Sequence, residues 1–177
     1  MASSAFLGLA AKGFVEFMDS GGPDRFDAYV ITYDDEGAGD SIRSLSGTVR
    51  DLFRALSDGD PAHDNCMGRK VDDPSWRFTF GGAVFYPITL APCYPAESSR
   101  YNGGTPHTDV LFLPRAAFER RQPAGKNTLS ETARQQIRRE HAKHGMVYDL
   151  TISLGPFECY KVVKPINLGD QVIRWWE

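Results

Sequence analysis

The sequence predicts a single α+β domain in which helices pack on one mostly antiparallel β-sheet. Three observations support this prediction. Amphipathic helical spacing occurs twice in the first third of the chain, a hairpin pattern lies near its middle, and its length of 177 residues is typical of one domain. No linker-like stretch divides the chain, so we assign residues 1–177 to one domain.

The first third of the chain alternates helix, strand and helix. Apolar residues recur at helical spacing from Ser4 to Asp19, where SGGP predicts the helix end. FDAYVITY, residues 26–33, alternates apolar and polar positions and predicts a strand. The apolar residues of 41–56 lie on one face of a second helix. The polar segment 57–73 predicts a long surface loop.

Further strands and helices follow. WRFTF-GG-AVFYPITL predicts a β-hairpin that turns at Gly81 and Gly82, DVLFL a strand and AAFER a short helix. Thr128 and Glu131 form a capping box for a helix that ends near His144. MVYDLTISL and ECYKVVKPI, joined by GPF, predict a closing hairpin.

Composition excludes several classes. The net charge is −3 and the basic residues are spread out, which argues against nucleic-acid binding. No window reaches the roughly 18 apolar residues of a membrane span, and the N-terminus lacks the basic region of a secretion signal. Three widely separated cysteines without CxxC spacing are typical of a reducing compartment, so the sequence predicts a cytoplasmic protein.

Polar and ligating residues concentrate in PCYPAESSRYNGG, residues 92–104, directly after the second strand of the hairpin. Cys93 is either a reactive thiolate, whose pKa Arg100 would lower, or a small buried hydrophobe. Arg100 could equally tie the loop to Asp72 or Asp73. The tail QVIRWWE ends in two tryptophans, which either fold back on the core or form a partner surface in a homodimer.

The order of these motifs resembles the YqcI/YcgG family. The resemblance rests on KVDDPSWRFTFGGAVFYPITLAPCYPAESSRYN, VLFLPRAAFER and IRREHAKHGMVYDL, which cover about residues 70–150, and more loosely on residues 26–56. It implies a haem-dependent oxygenase that hydroxylates a nitrogen of an amino acid or small amine in natural-product biosynthesis. It also implies an electron-donor protein as a partner.

The resemblance further implies roles for individual residues. Cys93 or His107 would be the axial iron ligand, and Arg100 would pair with a haem propionate. Carboxylates such as Glu97 or Asp109 would hold the amine, so the expected catalytic residues are Glu97 and Arg100. The expected porphyrin contacts are aromatic side chains of the second hairpin strand and the loop: Phe85, Tyr86 and Tyr94.

Two other functions compete with this expectation. Glu97 and Ser98 stand where the family pattern has a histidine, which favours a non-catalytic small-molecule-binding module that has lost haem. A cofactor-free enzyme with Cys93 as nucleophile is the third hypothesis.

Overall fold

The computed structural model describes residues 3–35, 37–121, 131–146 and 149–177. Its strands are β1 (Tyr29–Tyr33), β2 (Phe78–Phe80), β3 (Ala83–Leu90) and β4 (Thr108–Pro114). Its helices are α1 (Ser4–Asp19), α2 (Gly22–Arg25), α3 (Ile42–Asp58), α4 (Arg115–Arg120), α5 (Glu131–Lys143), α6 (Leu150–Leu154) and α7 (Cys159–Val162). A short 3-10 helix lies at Cys66–Gly68.

The four strands form one antiparallel sheet in the order β1-β4-β3-β2. Gly81 and Gly82 join β2 to β3 with φ angles of 56° and 77°, the left-handed values that a tight hairpin turn needs at both central positions. The predicted hairpin and the predicted α+β fold class are both confirmed.

Aromatic rings from α1 and the sheet form the centre of the core. Phe14 of α1 is fully buried, and its ring stacks on Phe80 with 4.5 Å between centroids. Phe85 and Phe112 contact the same ring at 5.1 and 5.0 Å. Since alternate residues of a strand point to the same face, the predicted alternation supplies one continuous apolar surface for the helices.

Local hydrogen bonds begin the two long helices where the apolar spacing predicts them. The Ser3 side chain accepts a hydrogen bond from the amide of Phe6 and caps α1. Ser41 and Ser44 exchange side-chain and backbone hydrogen bonds of 3.1 Å and form a capping box at the start of α3. The predicted helix bounds are therefore met to within two residues for α3, and in full for α1.

The predicted C-terminal hairpin is wrong, because its two segments form α6 and α7 in the part of the chain that the structure describes. The Asp149 side chain accepts a hydrogen bond of 3.0 Å from the amide of Ile152 and starts a helix in place of a strand. Thr89 of β3 holds α7 by donating a 2.7 Å hydrogen bond to the carbonyl of Val162. A side-chain hydrogen bond thus attaches α7 to β3, where the prediction had main-chain pairing between two strands.

The segment between α3 and β2 is largely exposed, as its polarity predicts, but a few of its side chains anchor it to the interior. Asp60 is only 2% exposed, and its carboxylate accepts hydrogen bonds from the amides of Ala62, Asp64 and Gly81 at 2.7–3.1 Å. Cys66 in the same segment is buried. A buried carboxylate that satisfies three backbone donors explains how a polar sequence enters the interior.

Two element starts differ from the prediction or lie outside the structure. β1 begins at Tyr29 rather than Phe26, because Phe26 ends α2 and its amide bonds to the carbonyl of Gly22. Thr128, the predicted cap of α5, lies outside the described residues.

The C-terminal tail folds back on the core. Trp175 is 1% exposed, and its indole N–H donates a 2.8 Å hydrogen bond to the carbonyl of Cys159. Its ring lies 4.8 Å from that of Phe53 on α3. The homodimer stays a prediction, and Trp175 is no longer a reason for it. Within the described ranges, no helix has both the length and the apolar character to span a membrane.

We predict that Phe14→Ala lowers the free energy of unfolding by about 3–5 kcal/mol, because it empties the centre of the aromatic cluster. The matched control is Leu9→Ala, which removes a side chain that is 69% exposed on the same helix and should change stability by less than about 0.5 kcal/mol. Urea unfolding of both variants tests this. Equal losses would show that the core does not centre on Phe14.

Candidate functional site

The loop at residues 92–104 has a defined structure. Ala91 and Tyr101 form a bridge that closes its two ends, and successive turns place the amide of Ser98 on the carbonyl of Pro95 and that of Tyr101 on Ser98. The Asn102 side chain donates 2.7 Å hydrogen bonds to the carbonyls of residues 105 and 107. Hydrogen bonds within the loop thus hold the main chain of the loop in place, and this main chain sets the positions from which the loop's side chains extend.

Tyr94 ties this loop to the C-terminal segment. Its ring is 1% exposed, and its hydroxyl donates a 2.8 Å hydrogen bond to the carbonyl of Lys164 while it accepts one of 3.1 Å from the amide of the same residue. Burial raises the pKa of Tyr94, so the hydroxyl stays protonated and can donate. Tyr94, one of the three aromatic residues expected to contact a porphyrin, therefore connects the loop to the C-terminal segment.

Arg100 makes a second connection between the same two segments. It is 5% exposed, and its guanidinium donates to the carbonyl of Lys161 in α7. Asp72, one of the partners proposed from the sequence, instead lies 3.5 Å from the guanidinium of Arg174. Arg100 thus holds the loop against α7 through a main-chain carbonyl, in place of the carboxylate partner that the sequence suggested.

A pocket of about 250 Å³ lies between this loop and the C-terminal segment, and we call it the loop-tail pocket. Glu97, Ser98 and Ser99 line its loop side. Asp149, which caps α6, adds a second carboxylate. The other lining residues are Pro95 of the loop and five residues of the C-terminal segment, which is the tail in the name of this pocket: Lys164, Pro165, Ile166, Asn167 and Leu168.

Lys164 is the unusual member of this lining because it is only 7% exposed. Its ammonium donates a 2.9 Å hydrogen bond to the hydroxyl of Ser153. Burial, together with the positive charges of Arg100 and Lys161, lowers the pKa of Lys164 to about 8 against the opposing effect of the Asp149 carboxylate. A lysine in this state changes its charge close to neutral pH.

Sequence reasoning missed Lys164 and Asp149. Both residues fell in the two segments predicted as strands of a closing hairpin, where alternation would have placed their polar side chains in solvent. The one available signal was the tripeptide YDL, in which an aspartate precedes apolar residues and can cap a helix.

Cys93 does not have the environment of a reactive thiolate. Its side chain is half-buried, and its amide donates a 3.0 Å hydrogen bond to the carbonyl of Gly39. Burial, with a smaller contribution from the charge of the nearby Asp40, raises the pKa of Cys93 to about 11. Arg100 does not lower it as expected, because its guanidinium is turned to α7. The thiol is therefore protonated at neutral pH.

His107 directly precedes β4 and lies beside Asp34. Its Nδ1 is 3.2 Å from the Asp34 carboxylate, and the imidazole is about half exposed. Asp109, two residues on, accepts a 2.6 Å hydrogen bond from the hydroxyl of Thr32 on the neighbouring strand. Neither side chain lines the loop-tail pocket.

The six residues expected to bind haem do not fit that group as one site. Phe85 packs in the core against Phe14, while Tyr86 points to the other face of the sheet and meets Phe118 at 5.5 Å. One porphyrin cannot contact both faces of a sheet. Tyr94 and Arg100 are buried in backbone contacts, as described above. In the described part of the chain, no three His, Cys, Asp or Glu residues are grouped so that they could hold a metal ion.

Comparison with known proteins identifies the family but no individual relative. No curated protein matches the chain, and no solved structure matches it. The sequence model of the YqcI/YcgG family matches residues 6–153, which is most of the chain. The matched region begins inside α1, includes the whole sheet and the loop at residues 92–104, and ends inside α6. The chain therefore belongs to the YqcI/YcgG family.

Proposed function

We propose that this chain is a binding module for a small organic amine, with the loop-tail pocket as its site. The observation that carries the proposal is that two acidic residues, Glu97 and Asp149, line one pocket. An ammonium group between two carboxylates makes charge-assisted hydrogen bonds, which are stronger than neutral ones. An amine is also the ligand class that the family resemblance implies.

The volume of the pocket sets the size of the ligand. Pockets that enclose a drug-sized molecule span about 300–1,000 Å³. At about 250 Å³ the loop-tail pocket is smaller than this range, so it suits an amine with a short carbon chain. Ile166 and Leu168, which are 40% and 60% exposed, supply apolar surface for that chain.

The charges around the pocket favour a cation over an anion. Two carboxylates face one lysine, and that lysine has a lowered pKa, so the lining is negative near neutral pH and becomes more so as pH rises. The hydroxyls of Ser98 and Ser99 add hydrogen-bonding groups that can accept from an ammonium. Binding by these groups requires no chemical step.

We predict that butylamine binds in the pocket more tightly than its neutral analogue 1-butanol, as measured by isothermal titration calorimetry. Glu97→Gln keeps the shape of the side chain but removes its charge, and we expect it to weaken butylamine binding about fivefold because Glu97 is partly screened by solvent.

The matched control is Glu16→Gln, which neutralises a side chain that is 68% exposed on α1 and should leave the affinity unchanged. Equal affinities for the amine and the alcohol, or equal losses in the two variants, would remove the pocket as the amine site.

The haem-dependent N-hydroxylation that the family resemblance implies remains a prediction, and an absorption spectrum tests it. Because Phe85 and Tyr86 lie on opposite faces of the sheet, and Tyr94 and Arg100 bond to main-chain carbonyls, we expect no Soret band after native purification and no stoichiometric complex with added hemin. A Soret band that Cys93→Ala or His107→Ala abolishes, and that the exposed-site control His63→Ala retains, would establish haem ligation. The oxygenase would then replace the binding module as the best-supported function.

A further inference from the structure

Lys164 is buried and lines the loop-tail pocket, and amine binding by the two carboxylates does not use its amino group. Among the described lysines, Lys164 alone is buried. Lys12 and Lys143 have side chains that are 74% and 66% exposed, and Lys161 forms a 2.6 Å ion pair with Glu158. Lys164 therefore differs from every other described lysine in its contact with water.

Charged and polar groups from four segments surround Lys164. Arg100 approaches from the loop, Lys161 from α7 and Asp149 from the start of α6, while Ser153 accepts its hydrogen bond. His141 of α5 is close enough that the charge of Lys164 helps to lower the pKa of the imidazole. Burial and the positive charges of Arg100 and Lys161 favour the neutral form of the amine, and the Asp149 carboxylate opposes them.

The neutral form matters because only an amine with a free electron pair is a nucleophile. With a pKa of about 8, roughly one Lys164 in ten is neutral at pH 7, whereas an ordinary lysine is neutral in roughly one molecule in 2,500. Desolvation in a pocket is one of the established ways by which proteins activate lysine toward carbonyl compounds.

We propose that Lys164 is a reactive amine that condenses with a small aliphatic aldehyde in the loop-tail pocket and holds it as an imine. The inference goes beyond the proposed function, because it assigns a covalent reaction to a residue that amine binding does not require. It rests on three features of the structure: the burial of Lys164, its place in the pocket lining and the two carboxylate residues that share this lining.

The reaction needs no oxidant or reductant. The electron pair of Nζ attacks the carbonyl carbon, a C–N bond forms, and the C=O π electrons move to oxygen. A proton passes from nitrogen to that oxygen and gives a carbinolamine. The carbinolamine hydroxyl then takes up one proton and leaves as water while the nitrogen electron pair forms the C=N bond. The last proton on nitrogen is released, so the net change is the loss of one water. Glu97 and Asp149 lie in the same lining and can carry these protons between the reacting atoms and solvent.

The pocket favours an aldehyde of short chain length as the carbonyl compound. Its volume of about 250 Å³ limits the carbon chain, and its two carboxylates disfavour an oxo acid, whose own carboxylate would be repelled. The apolar side chains of Ile166 and Leu168 provide contacts for the chain.

Reductive trapping of the whole protein tests the proposal. The chain is treated with butyraldehyde and sodium cyanoborohydride at pH 7, and the alkylated lysines are identified and timed by peptide mass spectrometry. We expect Lys164 to be alkylated at least about tenfold faster than Lys12, with a pH profile whose midpoint is near 8. In concentrated urea this preference should disappear, since burial is its cause.

Substitutions add a second test. Lys164→Arg keeps the positive charge but removes the nucleophilic amine, so we expect it to abolish the fast phase, whereas the control Lys161→Arg should retain it. Equal rates at Lys164 and Lys12 in the folded wild-type chain would overturn the proposal, and this comparison needs no variant to fold. Because amine binding is measured separately by titration with butylamine and Glu97→Gln, the two proposals can fail independently.

Discussion

The loop-tail pocket depends on the hydroxyl group of Tyr94. This group donates to the carbonyl of Lys164 and accepts from its amide, so one buried atom satisfies both main-chain groups of that residue. Tyr94 belongs to the loop and Lys164 to the tail, and the two segments are far apart in the sequence. Without this contact the tail would leave two buried polar groups without partners, which costs about 1–3 kcal/mol for each group.

The same contact fixes the position of the lysine side chain. Because the backbone of Lys164 is held inside the protein, its side chain starts from a buried Cα and reaches Ser153 before it reaches bulk water. The connection from Arg100 to the carbonyl of Lys161 brings a positive charge to the same region. The lowered pKa of Lys164 is thus a consequence of how the loop is attached to the tail.

The parts of the fold that the sequence predicts are those whose hydrogen bonds are local. The hairpin at Gly81 and Gly82, the helix α1 and the capped helix α3 each follow from neighbouring residues, and the structure confirms all three. The C-terminal segments were predicted wrongly because their apolar spacing resembles that of strands, whereas α6 begins at the cap Asp149 and α7 is held by a distant contact, that of Thr89 with the carbonyl of Val162. Periodicity carries no information about such contacts.

The same distinction between local and distant contacts holds for the candidate site. The loop at residues 92–104 could be selected from its composition, and Glu97 from its position in that loop, but the pocket needs Asp149 and Lys164, whose placement depends on α6 and the tail. Conversely, Cys93 and Arg100 were selected from the sequence because of their residue types, and their burial gives them roles that differ from those expected. A thiol acquires a raised pKa, and a guanidinium bonds to a backbone carbonyl.

The two proposed activities are linked through the charge of Lys164. An ammonium ligand between Glu97 and Asp149 adds a positive charge near this lysine, which lowers the pKa of Lys164 further. By linkage, a rise in pH through the pKa of about 8 removes the competing charge and strengthens amine binding, as long as the ligand itself stays protonated. The same rise in pH increases the neutral, nucleophilic fraction of Lys164. One proton thus governs both activities, and each is strongest on the alkaline side of neutrality.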